Sequence, residues 1–404
     1  MSETLATATP VTDWGRDYDI FAPEYVSDPY PIWSELRGTC PIAHSDRWGG
    51  SWLPTRYEDV SAIAHDVEHF SSRDIGVVPT SADQAAVLPA GTPPIQADPP
   101  VHTWTRRLLL PWFSHRKVAE YEALTRALCR RLIDGFIEHG HADAAADYAQ
   151  QIPVRVIATV LGVPADMADT FTGWVRDVLE FAHDEQRRNA GRDAAVGYLL
   201  EQIVQRKTAP GNDLISDLLH TEIDGAPVPE EIVLGIAGLT LVAGVDTTWS
   251  AIGAALWHLA AHDDDRERLV AEPELLPIAI EELLRAYSPV TMARIAASDV
   301  EVNGCPMHAG DRVLLSFSAA NRDPEMFPDA EQVVIDRAVN RHIAFGAGIH
   351  RCAGSNLARM ELRVAVEEWL TRIPAFRLAD PDAVTWAGGQ VRGPRNVPVV
   401  FPCA

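Results

Sequence analysis

"FGAGIHRCAG", residues Phe345 to Gly354, sets one cysteine among three glycines, a histidine and an arginine. A free cysteine most often fills a small hole in a core. Glycines cost backbone entropy, however, and a filler cysteine needs none beside it, so the pattern suggests backbone brought close to something flat. Zinc would require about four ligands, and no second cysteine or ligand run sits at a usual spacing. A nucleophile would require a base facing it, which His350, two positions along an irregular loop, need not supply. Backbone N–H groups around a sulfur can instead tune a metal held there. The run that follows, "SNLARMELRVAVEEWLTRI" (355–373), has helical periodicity at Leu357, Met360 and Val364. Its amino-terminal dipole would favour an anionic sulfur, and a thiolate so placed suits haem iron.

The cysteine set as a whole agrees with that reading. Cys40, Cys129, Cys305, Cys352 and Cys403 are scattered, odd in number and never form CxxC, which argues against a disulfide scaffold and a zinc ribbon. Without CxxCH, covalent c-type haem attachment is excluded. The 404 residues carry 57 acidic against 34 basic side chains, a formal net charge of −23. That excess argues against a surface built as a whole for nucleic acid or anionic lipid, and says nothing against a local basic patch. The amino terminus has no basic region followed by an apolar one, so no secretory signal is read and a cytoplasmic location is expected.

Periodicity predicts a mainly α protein with small β-sheets, organised as one domain over 18–404 behind a disordered tail at 1–17. "RKVAEYEALTRALCRRLIDGFIEHG" (116–140) places Val118, Tyr121, Leu124, Leu128, Leu132 and Phe136 on one helical stripe that stops at Gly140. Pro229 opens a helix of more than thirty residues. From Ile232 to Ala261 its only charge is Asp246. Four glycines, the polar "DTTWS" at its middle and the lack of basic flanks favour a core helix over a membrane span. A further helix, "PELLPIAIEELLRAYSP", stops near Pro289. Strands are expected at "GSWLPTRY", at "DVEVNGCPM" running into an Asn303-Gly304 turn, at the "DRVLLSFSA" that follows, and at "RNVPVVF". The Pro-rich stretch from Ile75 to Pro100 reads as a long loop of the functional kind.

Here the sequence resembles a known family. "FGAGIHRCAG" fits, without gaps, the haem-binding signature FGxGxHxCxG of the cytochrome P-450 family. "AGVDTT" (243–248) fits its oxygen-activating motif, (A/G)Gx(D/E)T(T/S). "EELLRAY" supplies its ExxR pair as Glu282 and Arg285, and Arg337 of "VIDRAVNRHIAFG" stands where a third partner closes that cluster. A phenylalanine is usual where Val333 stands. "DPPVHTWTRRLLLPWF" (98–113) gives His102 and Arg106, four apart on one helical face.

The resemblance implies the cytochrome P-450 fold with a long central helix, and haem b bound without covalent attachment through the Cys352 thiolate. His102, Arg106, Arg294 and His350 would grip its propionates. Thr247 would steady dioxygen and Asp246 would relay protons. The implied reaction inserts one oxygen atom of dioxygen into a hydrophobic small molecule. A separate ferredoxin and ferredoxin reductase would supply electrons, docking on basic clusters at Arg106, Arg107, 115–117, Arg351, Arg359 and Arg363. A peroxide-driven peroxygenase or a haem-based sensor is the alternative, though neither needs the acid–threonine pair. Pocket candidates by position are Leu239, Val242, Ala243, Val290 and Met292. The 75–98 loop and the helices around Phe171, Trp174 and Phe181 are expected to form a lid. A monomer is expected, with no nucleic-acid or membrane partner.

Overall fold

A computed structural model describes residues 9–80, 87, 88 and 90–403. Its axis is the helix Glu230–Ala261, with Pro229 at the N-cap position and Glu230 and Glu231 in the first turn, where carboxylates complement the dipole. At 1.5 Å per residue it runs about 48 Å. It is long and apolar enough to cross a membrane, but it is buried along most of its length from Ile232 to Ala260. It packs against Gln151–Leu161, Ala168–Leu179, Ser355–Arg372 and the strand Gly393–Asn396. An all-round apolar helix belongs in that position.

The expected stripe on the helix His115–Asp134 is displaced. The buried side chains are Val118, Tyr121, Thr125, Leu128, Cys129 and Ile133, while Leu124 is exposed. Thr125 takes the inward place because its hydroxyl donates to the Tyr121 carbonyl (2.9 Å), which satisfies its polarity inside the core. The helix ends at Asp134, short of Gly140, which adopts φ +70° before the strand His141–Asp143.

The main sheet has five strands in the order Ile42–Ser45, Ser51–Pro54, Arg312–Ser316, Thr291–Ala296 and Phe70–Ser71. Arg294 stands opposite Val313 in its central antiparallel pair. The Asn303-Gly304 turn closes a separate small hairpin, Val300–Val302 with Cys305–Met307, and both turn residues have positive φ, as a two-residue hairpin turn requires. "DRVLLSFSA" is strand only to Ser316; Phe317–Ala320 is helical.

Order begins earlier than the expected domain start at residue 18. Trp14–Asp17 is a helical turn capped by Asp13, and Asp17 accepts two bonds from Arg47 (2.6 Å each). The first part of the expected tail, 1–8, lies outside the described residues, as do 81–86 and 89 of the expected loop.

Candidate active site

Cys352 ends a short turn, Gly348–His350, whose backbone closes on itself: the Cys352 N–H donates to the Phe345 carbonyl (2.8 Å). Gly346 (φ +71°) and Gly348 (φ +66°) take left-handed conformations there. A Cβ on Gly348 would also collide with the Ala64 carbonyl oxygen. Turn geometry and one close backbone crossing thus account for two of the three glycines that the sequence reading ascribed to a flat neighbour. The helix Ser355–Arg372 starts three residues later and aims its positive end at the sulfur. Burial pushes the thiol pKa up, against the Gly354 backbone N–H and the charges of Arg106, Arg351 and Arg359, which favour the thiolate.

Cys352 lines an apolar cavity together with Phe113, Phe345, Leu357, Ala243 and Thr247. His102 and Arg106 enter this region from the helix Val101–Leu109, one turn apart. Period-two alternation puts Met292 and Arg294 on one face of the strand Thr291–Ala296, Val290 lies just before it, and all three line the cavity.

The hydrogen bonds of Arg294, Arg106 and His102 go to neutral backbone. Arg294 is 4 % exposed and its guanidinium donates to its neighbour's carbonyl, Ala293 O (2.8 Å). Arg106 donates to Arg351 O (2.5 Å), and His102 Nε2 contacts Ile349 O (3.1 Å). The His102 and His350 rings lie 4.4 Å apart, and His350 Nε2 is buried without a partner. Burial draws Arg294 down to about 10, with Asp98 opposing. Burial draws His350 down to about 3, helped by the charges of Arg294, His102 and Arg106. Asp98 is already engaged by Ser71 Oγ (2.5 Å) and the Ser72 N–H (2.9 Å). A buried cation such as Arg294 without a counter-charge is costly, and the half-buried Arg106 and the imidazoles of His102 and His350 add donors beside it, so the arrangement fits an anionic group entering the cavity. The donor set suits the two propionates of a haem, and the thiol suits its iron.

On the central helix the motif residues part company. Thr247 faces the cavity, where its Oγ1 donates to Ala243 O (2.8 Å). Asp246 lines neither large cavity. It is fully buried and bound to Arg395 (2.9 Å) and Ser250 Oγ (3.3 Å). Arg395 also reaches Glu180 (3.0 Å), which pairs with Arg176 (2.9 Å). Burial raises the Asp246 pKa, Arg395 opposes it and Glu180 adds to it. Sequence reasoning missed Arg395 and Glu180. The signal available was a lone carboxylate in an apolar helix, which demands a cation from somewhere in the fold.

The ExxR residues lie away from the cavity and bond one another. Glu282 accepts two bonds from Arg285 (2.8 Å each), one from Arg337 (2.9 Å), one from the Val334 N–H (2.8 Å) and one from Asn340 (3.1 Å). Arg285 spends its other N–H groups on the carbonyls of Asn321, Ala330 and Gln332.

A second cavity, of about 630 Å³, adjoins the first and shares Leu239, Ala243, Thr247, Val290 and Met292 with it; Val242 lines it too. Of the aromatic residues expected in a lid, Trp174 lines this cavity. Phe171 is core, and Phe181 packs under Arg187 instead.

The cavity suits an anionic group that reaches a thiol. The family model for cytochrome P-450 matches residues 177–381. A probable cytochrome P-450 127A1 from Sinorhizobium fredii is 37 % identical, over 86 % of this chain and 83 % of that protein. A vitamin D(3) 25-hydroxylase from Pseudonocardia autotrophica is 36 % identical over 96 % of this chain and 97 % of its own. The solved structure of the cytochrome P-450 PksS of Bacillus subtilis superposes with a TM-score of 0.87 at 30 % identity, covering 95 % of this chain and 99 % of that one. The chain belongs to the cytochrome P-450 family. It is an oxidoreductase of the monooxygenase class, a class that works through haem-thiolate iron and oxidises small organic molecules.

Proposed function

We propose that Cys352 is the axial ligand of a non-covalent haem b, and that the enzyme hydroxylates a hydrophobic small molecule in the cavity next to Thr247. The observation that carries this reading is one cavity bounded by the Cys352 thiol, the Thr247 hydroxyl and the counter-charge-poor cluster of Arg294, Arg106 and His350, with His102 packed behind His350. When bound, the haem supplies the oxygen-activating redox chemistry. One atom of dioxygen enters a substrate C–H bond and the other leaves as water, with two electrons and two protons consumed.

The chain's own residues do the rest. Leu239, Val242, Ala243, Val290 and Met292 surround the substrate with apolar surface and exclude bulk water. Thr247 lines the cavity, and its Oγ1, turned from the Ala243 carbonyl, would hold dioxygen and pass a proton through its hydroxyl. Asp246 serves as the proton source only after its carboxylate leaves Arg395, so the Asp246–Arg395 ion pair regulates that delivery.

Electrons come from a separate ferredoxin and its reductase. Of the basic clusters expected to dock them, Lys117, Arg359 and Arg363 are spent on Glu120, Glu281 and Glu122. Arg107, Arg116 and Arg351 are exposed, and they carry the docking role in this proposal. The protein acts as a cytoplasmic monomer. The test is the spectrum of the reduced, carbon-monoxide-bound protein for wild type and Cys352→Ser. A strongly red-shifted Soret band present in the first and lost in the second supports the ligand; an unchanged band in the variant rejects it.

A further inference from the structure

The helix Glu185–Thr208 begins "EQRRNAGR", with Arg187, Arg188 and Arg192 in its first two turns. Cations are disfavoured at a helix amino terminus, and like charges four residues apart repel. Arg187 has a structural use, since it pairs with Asp177 (2.7 Å) and covers Phe181. Arg188 and Arg192 are only partly used. Both line the second cavity, and both carry a buried nitrogen without a partner: Nε of Arg188 and Nη1 of Arg192. Arg188 Nη1 donates to the Ala182 carbonyl (2.7 Å), and Arg192 turns two other N–H groups to its neighbour Asp193 (2.7 and 2.9 Å). Burial lowers the Arg188 pKa, while Glu185 and Asp74 attract it from a distance.

The wall around them is short of negative charge. Arg73 lines the same cavity, and Asp74 is the one acid among its described lining residues. That carboxylate is already taken by Arg312 (2.7 Å), the Thr80 hydroxyl (3.0 Å) and the backbone of Gly76 and Thr80. The same cavity continues through Leu239 and Val242 to Thr247, which faces the Cys352 chamber. An amphiphile would satisfy both ends of this space, with its apolar body on the central helix and an anion against the guanidinium groups.

We propose that Arg188 and Arg192 form a carboxylate-recognition site, so that the molecule oxidised is a hydrophobic acid held by its charged end and presented by its apolar end. The assignment rests on the monooxygenase reading above. The matching chemistry is the planar, two-pronged fork of arginine on a carboxylate.

The test uses the haem-loaded enzyme and spectral titration with two pairs, dodecanoate with methyl dodecanoate and cholate with methyl cholate. In at least one pair the acid binds about tenfold or more tightly than its ester, the range of a charge-assisted bond. Arg188→Gln with Arg192→Gln collapses that gap. Arg188→Lys restores it only in part, and Arg187→Gln leaves it intact. An ester that binds as tightly as its acid in both pairs, absence of binding in both, or a gap that survives the double glutamine variant overturns the proposal. In those three cases a normal carbon-monoxide band shows that the monooxygenase reading stands, whereas absence of that band takes both down.

Discussion

Two polar clusters, one around Glu282 and one around Arg294, are built on opposite principles. Around Glu282, three cationic or amide side chains and a backbone N–H converge on one carboxylate, and Arg285 distributes its remaining donors over carbonyls. Around Arg294, two arginines and two histidines converge without a free carboxylate among them. A saturated cluster can only hold chain to chain. An unsaturated one of a single sign costs folding free energy, and a protein retains it where a ligand of the opposite sign offsets that cost. The comparison separates residues that hold the fold from residues that hold the cofactor, although both sets centre on a buried arginine, Arg285 in one and Arg294 in the other.

Breaking the saturated cluster should have the largest effect. Glu282→Gln leaves Arg285 and Arg337 without their counter-charge, a loss of about 3–5 kcal/mol for a broken buried pair. We expect little folded protein at 37 °C, read by thermal unfolding of both the haem-free and haem-loaded forms. Removing charge from the unsaturated cluster should act in the opposite sense on the haem-free chain. Arg294→Leu removes an unpaired buried cation, so the haem-free chain keeps its stability or gains some, while haem binds at least tenfold more weakly.

The Asp246 network sharpens the contrast, because it is saturated yet lies beside the chemistry. Arg395→Gln frees Asp246 from its ion pair and leaves a buried carboxylate that protonates more readily. We expect a loss of about 1–3 kcal/mol in unfolding free energy. A changed pH dependence of turnover, measured against wild type, should accompany it if Asp246 feeds protons to Thr247.

A smaller, purely structural effect is expected at Glu281, which ties the ExxR helix to the helix Ser355–Arg372 through Arg359 (2.6 and 2.8 Å) and also meets His342 (3.0 Å). Burial pushes its pKa up, but the Arg359 and His342 bonds outweigh burial and hold it at about 2, below the ordinary 4.5. The folded state thus binds this proton less readily than the unfolded chain does. The stabilisation is fully present above pH 4.5 and is lost as pH falls towards 2. Glu281→Gln should flatten that part of the acid-unfolding curve, and a curve identical to wild type would show that the pair contributes nothing.

What the sequence disclosed was what is contiguous along the chain. The cysteine loop, the 32-residue central helix and the i, i+3 pair of Glu282 and Arg285 are each written in one short run, and each stands where it was read. Arg337 was legible because it too has a fixed place in such a run. What was hidden depends on chain crossings. Arg395 meets Asp246 from 149 positions away, and nothing in "RNVPVVF" marks a counter-ion. The sequence likewise gives no sign that Arg188 and Arg192 line one cavity with Met292. Leu124 failed as a core residue because a threonine one position on could satisfy its own hydroxyl within the helix.

The measurement that tests this account most directly is one titration and one melt on Arg294→Leu beside wild type. The account predicts a haem-free melting temperature equal to or above that of wild type, together with haem affinity reduced at least tenfold. A haem-free chain that melts far below wild type but binds haem as tightly would place Arg294 with Glu282 among the residues that merely hold the fold, and would contradict it.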